Sequence, residues 1–417
     1  MSRLTRAGEE GRWATFSTGS GSSRWRCGPS SPRQERPRRE WGADVIKVEH
    51  PVTGDAQRGL VNSGFLPQQA GGANYMMEVP NRGKRSIGLD LGTDEGRSIL
   101  YRLCEDADVF LTNFLPDARA RPGIDVDDIR PHNPTVIYAR GSGAGQRGPE
   151  AHKGGFDSSS YWARGGIGYA VTPPDASYPV RMRSAFGDVM GGLTIAGGPA
   201  AALFHRERTG EPSVVDVSLL NLAMWNLSVD IASAPLFPEE GVHRYDPEAM
   251  INPTVGMYPT RDGRHLNLTM LQSDRYWAEL VDAMGCPELA DDPRFIDHAA
   301  RERNSADCTQ ALKAVFLGRT LDEWRDALAA IEGVWSPLQT PLEVHDDPMV
   351  AANGYLPVVE TTSGRSLVLV ANPVQFDEQP AQPTGAPEHG QHTEEILLDH
   401  GYDWGDLVGL KERGVIT

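Results

Sequence analysis

Short apolar runs alternate with helical patterns along the chain from Trp41 onward. Strands are predicted at ADVIKVE, RSIGLDL, DVFLTNF and TVIYARGS, and a helix capped by Thr93 follows the second of them. Strands that alternate with helices in this way are typical of a parallel sheet covered by helices. The pattern therefore predicts an α/β fold with a large domain over residues 41–233.

The composition changes near residues 234–246, which predicts a linker. The following sequence, MYPTRDGRHLNLTML, predicts a hairpin that turns at Asp262–Gly263. Amphipathic helices are predicted at SDRYWAELVDAM and LDEWRDALAAI. These elements indicate a smaller α+β domain over residues 234–340, followed by a C-terminal segment over residues 341–417.

A glycine-rich helix is predicted to start at Asp188, directly after Ser184–Gly187, and to end near Gly210. A carboxylate at a helix N-terminus is favoured by unpaired N–H groups and the macrodipole, so Asp188 is either a simple N-cap or a functional group. Glycine costs roughly 1 kcal/mol relative to alanine in a helix. Its abundance here favours close approach of a ligand to the backbone. The next pattern, VVDVSLLNLAMWNLSVDIASA, predicts a second helix that is apolar on nearly all sides, hence buried or at an interface.

The first forty residues do not fit this pattern. They are rich in Ser, Gly, Arg and Pro and show no hydrophobic periodicity, which is typical of a disordered tail. A GC-rich back-translation of residues 13–29 in a shifted frame instead reads as a buried strand. The alternative hypothesis is thus that two compensating frameshifts altered residues 13–39, and resequencing that part of the gene tests it.

The charge of −17 over 417 residues argues against nucleic acid as the main partner, because phosphate backbones require a basic surface. The four cysteines lie far apart and form no CxxC motif, which favours buried thiols in a reducing cytoplasm and predicts no metal site. No apolar run approaches the roughly 20 residues of a membrane span, and residues 1–40 lack the apolar centre of a signal peptide. A cytoplasmic protein without a membrane partner is expected.

A GxGxxG motif lies at Gly143–Gly148 after a predicted strand. A dinucleotide site requires a helix directly after the motif. Pro149 and a polar loop follow instead, so nicotinamide dinucleotide binding is not predicted.

The chain resembles the class III CoA-transferases of the CaiB/BaiF type, which include formyl-CoA transferase and the α-methylacyl-CoA racemases. The resemblance runs from Trp41 to the C-terminus, and each of its motifs is weak alone, but their order and spacing are specific. They are GDVMGG with AALFHRERTG and VVDVSLL, WGADVIKVEHP, NRGKRSIGLDL, ADVFLTNFLP, NPTVIYARGSGAGQRGP, DDPRF, ANGY and GQHTEEIL.

The resemblance implies a Rossmann-like large domain, a C-terminal segment that returns to it, and two chains that interlock as a homodimer. It also implies a first strand and helix before residue 41, which this sequence lacks. Coenzyme A thioesters are the implied substrates, with no tightly bound cofactor. Matching positions assign CoA contacts to Asn113 and Phe114 and a phosphate contact to Arg121. His50 stands where relatives often have an arginine and is expected to bind phosphate more weakly. A phosphate-binding lysine of some relatives corresponds to Gly92, and the nearby substitutes are Arg85, Lys84 and Arg58.

By the same resemblance, Asp188 is the nucleophile that attacks an acyl-CoA thioester and yields a mixed anhydride and free CoA. A carboxylic acid then exchanges through an aspartyl-CoA thioester. The glycines at Gly187, Gly191 and Gly192 are expected to contact or stabilise the developing oxyanion.

Two other functions remain open at this stage. Racemisation of a 2-methylacyl-CoA needs a base on each face of the α-carbon, but the histidine position of the racemases is Phe156 here, and a supporting glutamate corresponds to Gln272. His152 is the nearby residue that would have to compensate. The other alternative is an inactive CoA-binding relative, which the missing first strand favours.

Overall fold

The computed structural model of the protein describes residues 12–16, 40–61, 74–237 and 246–417. Two compact units share these residues. The first unit comprises Met1–Val242 and Ala351–Thr417, and the second comprises His243–Val350. The domain boundaries expected above stay predictions.

The first unit is built on eight strands and eleven α-helices within the described part of the chain, and six of the strands form one sheet. These six strands are β1 Arg12–Phe16, β2 Val45–Glu49, β3 Arg85–Gly88, β4 Ala107–Thr112, β5 Ile137–Ser142 and β6 Val214–Ser218. The helices before the second unit are α1 Tyr75–Asn81, α2 Asp94–Glu105, α3 Pro116–Ala120, α4 Val126–Ile129, α5 Ile167–Ala170, α6 Phe186–Thr209, α7 Leu219–Asn226 and α8 Ser228–Ser233. A π-helical segment, Asp157–Ala163, precedes α5.

The second unit holds an antiparallel three-stranded sheet and four helices among its described residues. Its elements are β7 Val255–Pro259, β8 His265–Thr269, α9 Ser273–Met284, α10 His298–Arg303, α11 Ser305–Phe316, α12 Leu321–Ala327 and β9 Trp335–Pro337. The β7–β8 hairpin turns at the predicted position, where Gly263 has a φ of 73°. The helices pack on the sheet through an apolar core that includes Tyr258, Trp277 and Trp324.

The chain then completes the first unit with α13 Pro348–Ala352, whose first residues close the second unit, and with β10 Val358–Glu360, β11 Ser366–Val368, α14 Thr393–Asp399 and α15 Trp404–Glu412. Side chains of α14 and α15 pack with α2 against one face of the six-stranded sheet. On the other face, Ile195 and Ala202 of α6 pack against β4 and β5.

The six-stranded sheet has the order β3-β2-β1-β4-β5-β6, and every neighbouring pair is parallel. This is the strand order of the doubly wound nucleotide-binding fold, in which ligands bind beyond the carboxyl ends of the strands where the order reverses. The reversal lies between β1 and β4. The predicted α/β class is confirmed, as is the helix after β3, whose N-cap Thr93 accepts from the Gly96 N–H.

Two expectations are wrong. The first strand is not missing, because Arg12–Phe16 occupies the gap between β2 and β4. Without it, both neighbours would lose a row of backbone hydrogen bonds. Residues 1–11 and 17–39 lie outside the described residues, and the hypotheses of a disordered tail and of two frameshifts concern those residues. The pattern predicted as one long helix after α6 instead begins with β6, because alternating valines in VVDVS extend the sheet by an edge strand.

None of the helices in the described part of the chain is long and apolar enough to cross a membrane.

Candidate active site

Helix α6 places its first turn beyond the carboxyl edge of the sheet. At its far end, Arg206 pairs with Asp108 near the start of β4 (2.6 Å) and donates to the carbonyl of Thr135, just before β5. Ile195, seven residues after Asp188, lies near Gly141 at the carboxyl end of β5. Seven helical residues span about 10 Å, so Asp188 projects past that edge, where open α/β sheets bind ligands.

Asp188 is the third residue of α6 and not its N-cap. The helix starts at Phe186, and the N-cap is Ala185, which has a left-handed φ of 59° and no side-chain hydrogen bond to the helix. The expectation that the helix begins at Asp188 is therefore wrong by two residues. The physical reason is that the Ala185 carbonyl already accepts the first helical bond, from the Val189 N–H (2.9 Å).

The start of α6 is fixed by Tyr161, which is fully buried. A Cβ at Gly187 would lie 2.6 Å from the Tyr161 ring, so this position requires glycine. The ring also makes an edge contact with Phe186, and its hydroxyl accepts from Asn226 of α7 (2.6 Å). Tyr161 thereby holds the turn that carries Asp188.

A second carboxylate, Asp157, lies next to Asp188. It begins the π-helical segment that contains Tyr161. The segment before it approaches the loop after β5 closely, since a Cβ on Gly143 would lie 2.7 Å from the Gly155 Cα. One Asp157 oxygen accepts from the Ser158 N–H (2.7 Å), and the backbone N–H of Ala185, at the start of α6, also interacts with this carboxylate.

Burial and a neighbouring charge disfavour the ionisation of Asp188. Burial and, secondarily, the charge of Asp157 raise the pKa of Asp188 from 3.8 to about 7. Burial also raises the pKa of Asp157, against the lowering effect of its backbone hydrogen bonds. Asp188 is thus a carboxyl group that changes protonation near neutral pH, which is a common property of reacting groups in active sites.

The three glycines expected at the oxyanion lie at different depths of α6. Gly187 is in the first turn, where N–H groups have no acceptor within a helix. Gly191 and Gly192 lie beyond that turn, where the amides bond to helical carbonyls. Gly191 packs near Leu219, and Gly192 is buried. The geometry favours Gly187 over the other two as a donor to a ligand.

Asn113 and Phe114 follow the carboxyl end of β4, beside the strand-order reversal. The Asn113 side chain lies near Gly141 of β5, and Phe114 packs partly into the core. The buried Arg119 donates to the Phe114 carbonyl (2.7 Å) and to Gln146 of the glycine-rich loop (3.4 Å). This arginine fixes both loops, although the sequence pattern gave no reason to single it out.

Arg121 and His50 are both exposed. The Arg121 side chain makes no hydrogen bond or ion pair with other described residues, while its backbone N–H donates to the Asp117 carbonyl (3.3 Å). His50 follows β2, and its Nδ1 accepts from the N–H groups of Val52 and Thr53 (3.2 Å each). Because Nδ1 is an acceptor, the proton of the neutral ring lies on Nε2, which is the atom able to donate to a phosphate.

A buried group of charges supports the turn after His50. Glu49 accepts from Nε and Nη2 of Arg58 (2.7 Å each). It also accepts from the Asp55 N–H (3.1 Å) and the Ser86 hydroxyl (2.8 Å). Lys47 pairs with Asp55. Two cations and two anions satisfy one another here, which is the condition for burying charge.

Arg85 does not join the other expected CoA contacts. It is the first residue of β3 and pairs in register with Ile46 of β2, so it lies toward the amino edge of the sheet. Its guanidinium is buried against Asp44, Glu395 and Asp399. These ion pairs support a structural role rather than phosphate binding.

Three residues of the site were not predicted from the sequence, namely Asp157, Tyr161 and Arg119. Asp157 had a detectable signal, because it directly follows the position at which the racemases carry histidine. Tyr161 and Arg119 act through packing and backbone hydrogen bonds, which the sequence does not reveal. Within the described ranges, no group of three His, Cys, Asp or Glu residues is placed to hold a metal ion.

Residues 39–393 match the family described as CoA-transferase family III. The chain belongs to this family. The (R)-2-hydroxy-4-methylpentanoate CoA-transferase of Clostridioides difficile is 31% identical over 90% of this chain and 93% of its own length. The succinyl-CoA–D-citramalate CoA-transferase of Chloroflexus aurantiacus is 32% identical over 90% of this chain and 92% of its own length.

Among solved structures, a CaiB/BaiF family protein from Brucella suis matches with a TM-score of 0.75 and 26% identity. The match covers 94% of this chain and 98% of that one. The resemblance stated from the sequence motifs is therefore confirmed for the family, and the chain is a family III CoA-transferase.

Proposed function

We propose that the protein moves CoA from an acyl-CoA to a carboxylic acid through covalent intermediates on Asp188. The observation that carries this proposal is the half-buried Asp188 carboxylate in the first turn of α6, next to Asp157 and beyond the carboxyl edge of the sheet. Acylation converts Asp188 to a neutral group. The surroundings that oppose its negative charge therefore favour the acylated state.

The exchange proceeds in four balanced steps. An Asp188 oxygen attacks the thioester carbonyl and the C–S bond breaks, which gives a mixed anhydride and CoA thiolate. The thiolate attacks the aspartyl carbonyl and releases the donor acid, leaving an aspartyl-CoA thioester. The acceptor carboxylate attacks this thioester and again releases thiolate, and attack of the thiolate on the acceptor acyl group regenerates the Asp188 carboxylate.

Backbone groups at the start of α6 support the oxyanion of these steps. The N–H groups of the first turn lack helical acceptors and carry the positive end of the helix dipole. Gly187 has no Cβ, and the Tyr161 ring occupies the space that a Cβ would fill, so the first turn of α6 packs closely on this ring. Of the three glycines expected from the sequence, we propose that Gly187 donates its amide N–H to the oxyanion.

For CoA itself, we propose binding across the reversal of strand order. Asn113 and Phe114 would contact the thioester arm, with Arg121 and His50 contacting phosphate oxygens. The free guanidinium of Arg121 and the available Nε2 of His50 support this assignment. Arg85, with its three carboxylate partners, does not.

We also propose a homodimer with interlocked chains. Large apolar side chains are exposed along α6, α7 and α8, including Phe204, Met224, Trp225 and Val229, of which the last two are 76% and 79% exposed. Exposed apolar patches mark interaction sites. Light scattering at several protein concentrations tests it, and a stable monomer would contradict it.

Transfer is tested with an acceptor acid labelled with ¹⁸O in its carboxylate. Because the acceptor oxygen is left on Asp188 when the new acyl-CoA forms, the label should appear in the peptide that contains Asp188. The relatives named above differ in their acids, so a 2-hydroxy acid and a dicarboxylic acid are both offered. D188A should lose transfer, whereas the exposed Asp175→Ala in the preceding loop should retain it. Transfer by D188A would remove this mechanism.

The same incubation in D₂O tests racemisation. The half-exposed Phe156 occupies the position where the racemases carry a histidine, and a phenyl ring holds no exchangeable proton. We expect label transfer without deuterium at the α-carbon. Deuterium incorporation alone would favour the racemase.

A further inference from the structure

Two arginines lie in the segment that enters α6, and the mechanism above does not use them. Arg181 and Arg183 are both exposed, while Met182 between them packs against the buried cluster around Tyr161 and Leu222. Since the middle side chain points into the protein, the flanking pair lies on its outer side. We call Arg181 and Arg183 the arginine pair.

The backbone that carries the arginine pair is held in place by three hydrogen bonds. The Trp162 indole donates to the Val180 carbonyl (3.0 Å), and the Val180 N–H donates to the Thr172 hydroxyl (3.0 Å). The Phe186 N–H donates to the Arg183 carbonyl (3.4 Å). The arginine pair is therefore displayed by an anchored segment and not by a free loop end.

Neither guanidinium makes an ion pair or hydrogen bond with the other residues that the structure describes. Other arginines of the first unit do find partners, since Arg164 pairs with Glu150 (2.5 Å) and Arg140 with Asp216 (2.7 Å). In a chain of net charge −17, two adjacent unpaired arginines are available for an external anion.

Arg183 lies five residues before Asp188. Five residues span at most about 18 Å when extended, and the turn closed by the Phe186 N–H shortens this distance. A free acid that approaches Asp188 also meets Asp157, so its negative charge needs a compensating cation. A guanidinium matches a carboxylate with two parallel hydrogen bonds.

We propose that the arginine pair binds a second anionic group of the substrate, the distal carboxylate of a dicarboxylic acid or of its CoA half-thioester. This inference rests on the proposed function, because it takes Asp188 as the reacting group. The same donors suit a phosphate, so the diphosphate of CoA is the other source of such an anion.

The test compares glutarate with pentanoate, which has the same chain length but one charge fewer. Binding to the full-length protein is measured by calorimetry, and transfer is measured with acetyl-CoA as donor. Wild type should prefer glutarate by ~10- to 100-fold, as expected for hydrogen bonds to a charged group. The R181Q/R183Q variant should lose that preference and keep its affinity for pentanoate. The matched control is Arg303→Gln, an exposed arginine of the second unit that also lacks a partner among the described residues.

The outcomes separate this inference from the proposed function. Transfer without a glutarate preference, or a preference that R181Q/R183Q retains, overturns the inference and leaves the transferase intact. Glutarate binding that depends on the arginine pair, without any CoA transfer, overturns the proposed function instead. If the variant keeps the glutarate preference but loses discrimination between CoA and pantetheine, the anion is the diphosphate and the carboxylate assignment is wrong.

Discussion

Replacing Asp188 by asparagine should stabilise the folded protein at alkaline pH while it abolishes transfer. The pKa of Asp188 is raised from 3.8 to about 7, so the folded state binds its proton more tightly than the unfolded chain. Below pH 4 both states are protonated, and the group has no effect on the free energy of unfolding. As the pH rises from about 4 to about 7, the folded state loses stability, and above pH 7 the loss is complete.

The size of this effect follows from the pKa change, which corresponds to about 4 kcal/mol for a fully enclosed group. Asp188 retains some solvent exposure, so we expect about 2–4 kcal/mol. Asparagine has nearly the same shape and no charge. The variant should therefore melt roughly 4–8 °C above wild type at pH 8, with little difference at pH 4.

Thermal melting of both proteins at pH 4, 6 and 8 measures this prediction. The Asp175→Asn variant, which alters an exposed carboxylate in the same unit, controls for a general change in net charge. Equal melting temperatures of wild type and D188N at pH 8 would refute the reasoning, as would a stabilisation that does not depend on pH.

Three further substitutions test the packing around the site. Gly187→Ala should sharply reduce turnover but retain the fold, because its Cβ would lie 2.6 Å from the Tyr161 ring and displace the first turn of α6. Steady-state kinetics measure the turnover, and near-ultraviolet circular dichroism measures whether the fold is retained. Lys47→Met should destabilise the first unit by about 3–5 kcal/mol, since it leaves the buried Asp55 carboxylate without its cation, and a thermal melt equal to wild type would contradict it. Gly198→Val should cost about 1–3 kcal/mol by overpacking α6 against the edge strand, where a Cβ would lie 2.7 Å from a valine side chain; denaturant unfolding measures this.

The predictable elements are those with a distinct apolar pattern in the sequence. The strands β2 to β5 begin as short apolar runs, α2 is an amphipathic helix with a capping threonine, and each was located from sequence to within a few residues. The strand β1 has no such pattern, because a short central strand is defined by the two neighbours that pair with it. The sequence of the edge strand β6 runs directly into the apolar pattern of α7, so the two elements were predicted as one helix.

The site could be predicted from the sequence only where its residues lie close together along the chain. Asp188 stands out because a carboxylate, glycines and a helix start occur together in the sequence. The proximity of Asp188 to Asp157 brings together positions that are 31 residues apart, and neither segment of the sequence indicates this proximity. Two of the three ion pairs of Arg85 likewise involve residues more than 300 positions away, so its burial is a tertiary property.

Helix α6 connects the ion pair of Arg206 with Asp108 at one end to the proposed nucleophile Asp188 at the other. Arg206 and Asp188 are eighteen helical residues apart, or about 27 Å. At that length, a tilt of only about 2° at the ion pair moves the carboxylate by about 1 Å, a misplacement that can cost roughly a hundredfold in rate. Substitutions at Asp108 or Arg206, far from any substrate, are therefore expected to mimic active-site lesions and to leave the protein folded but catalytically silent.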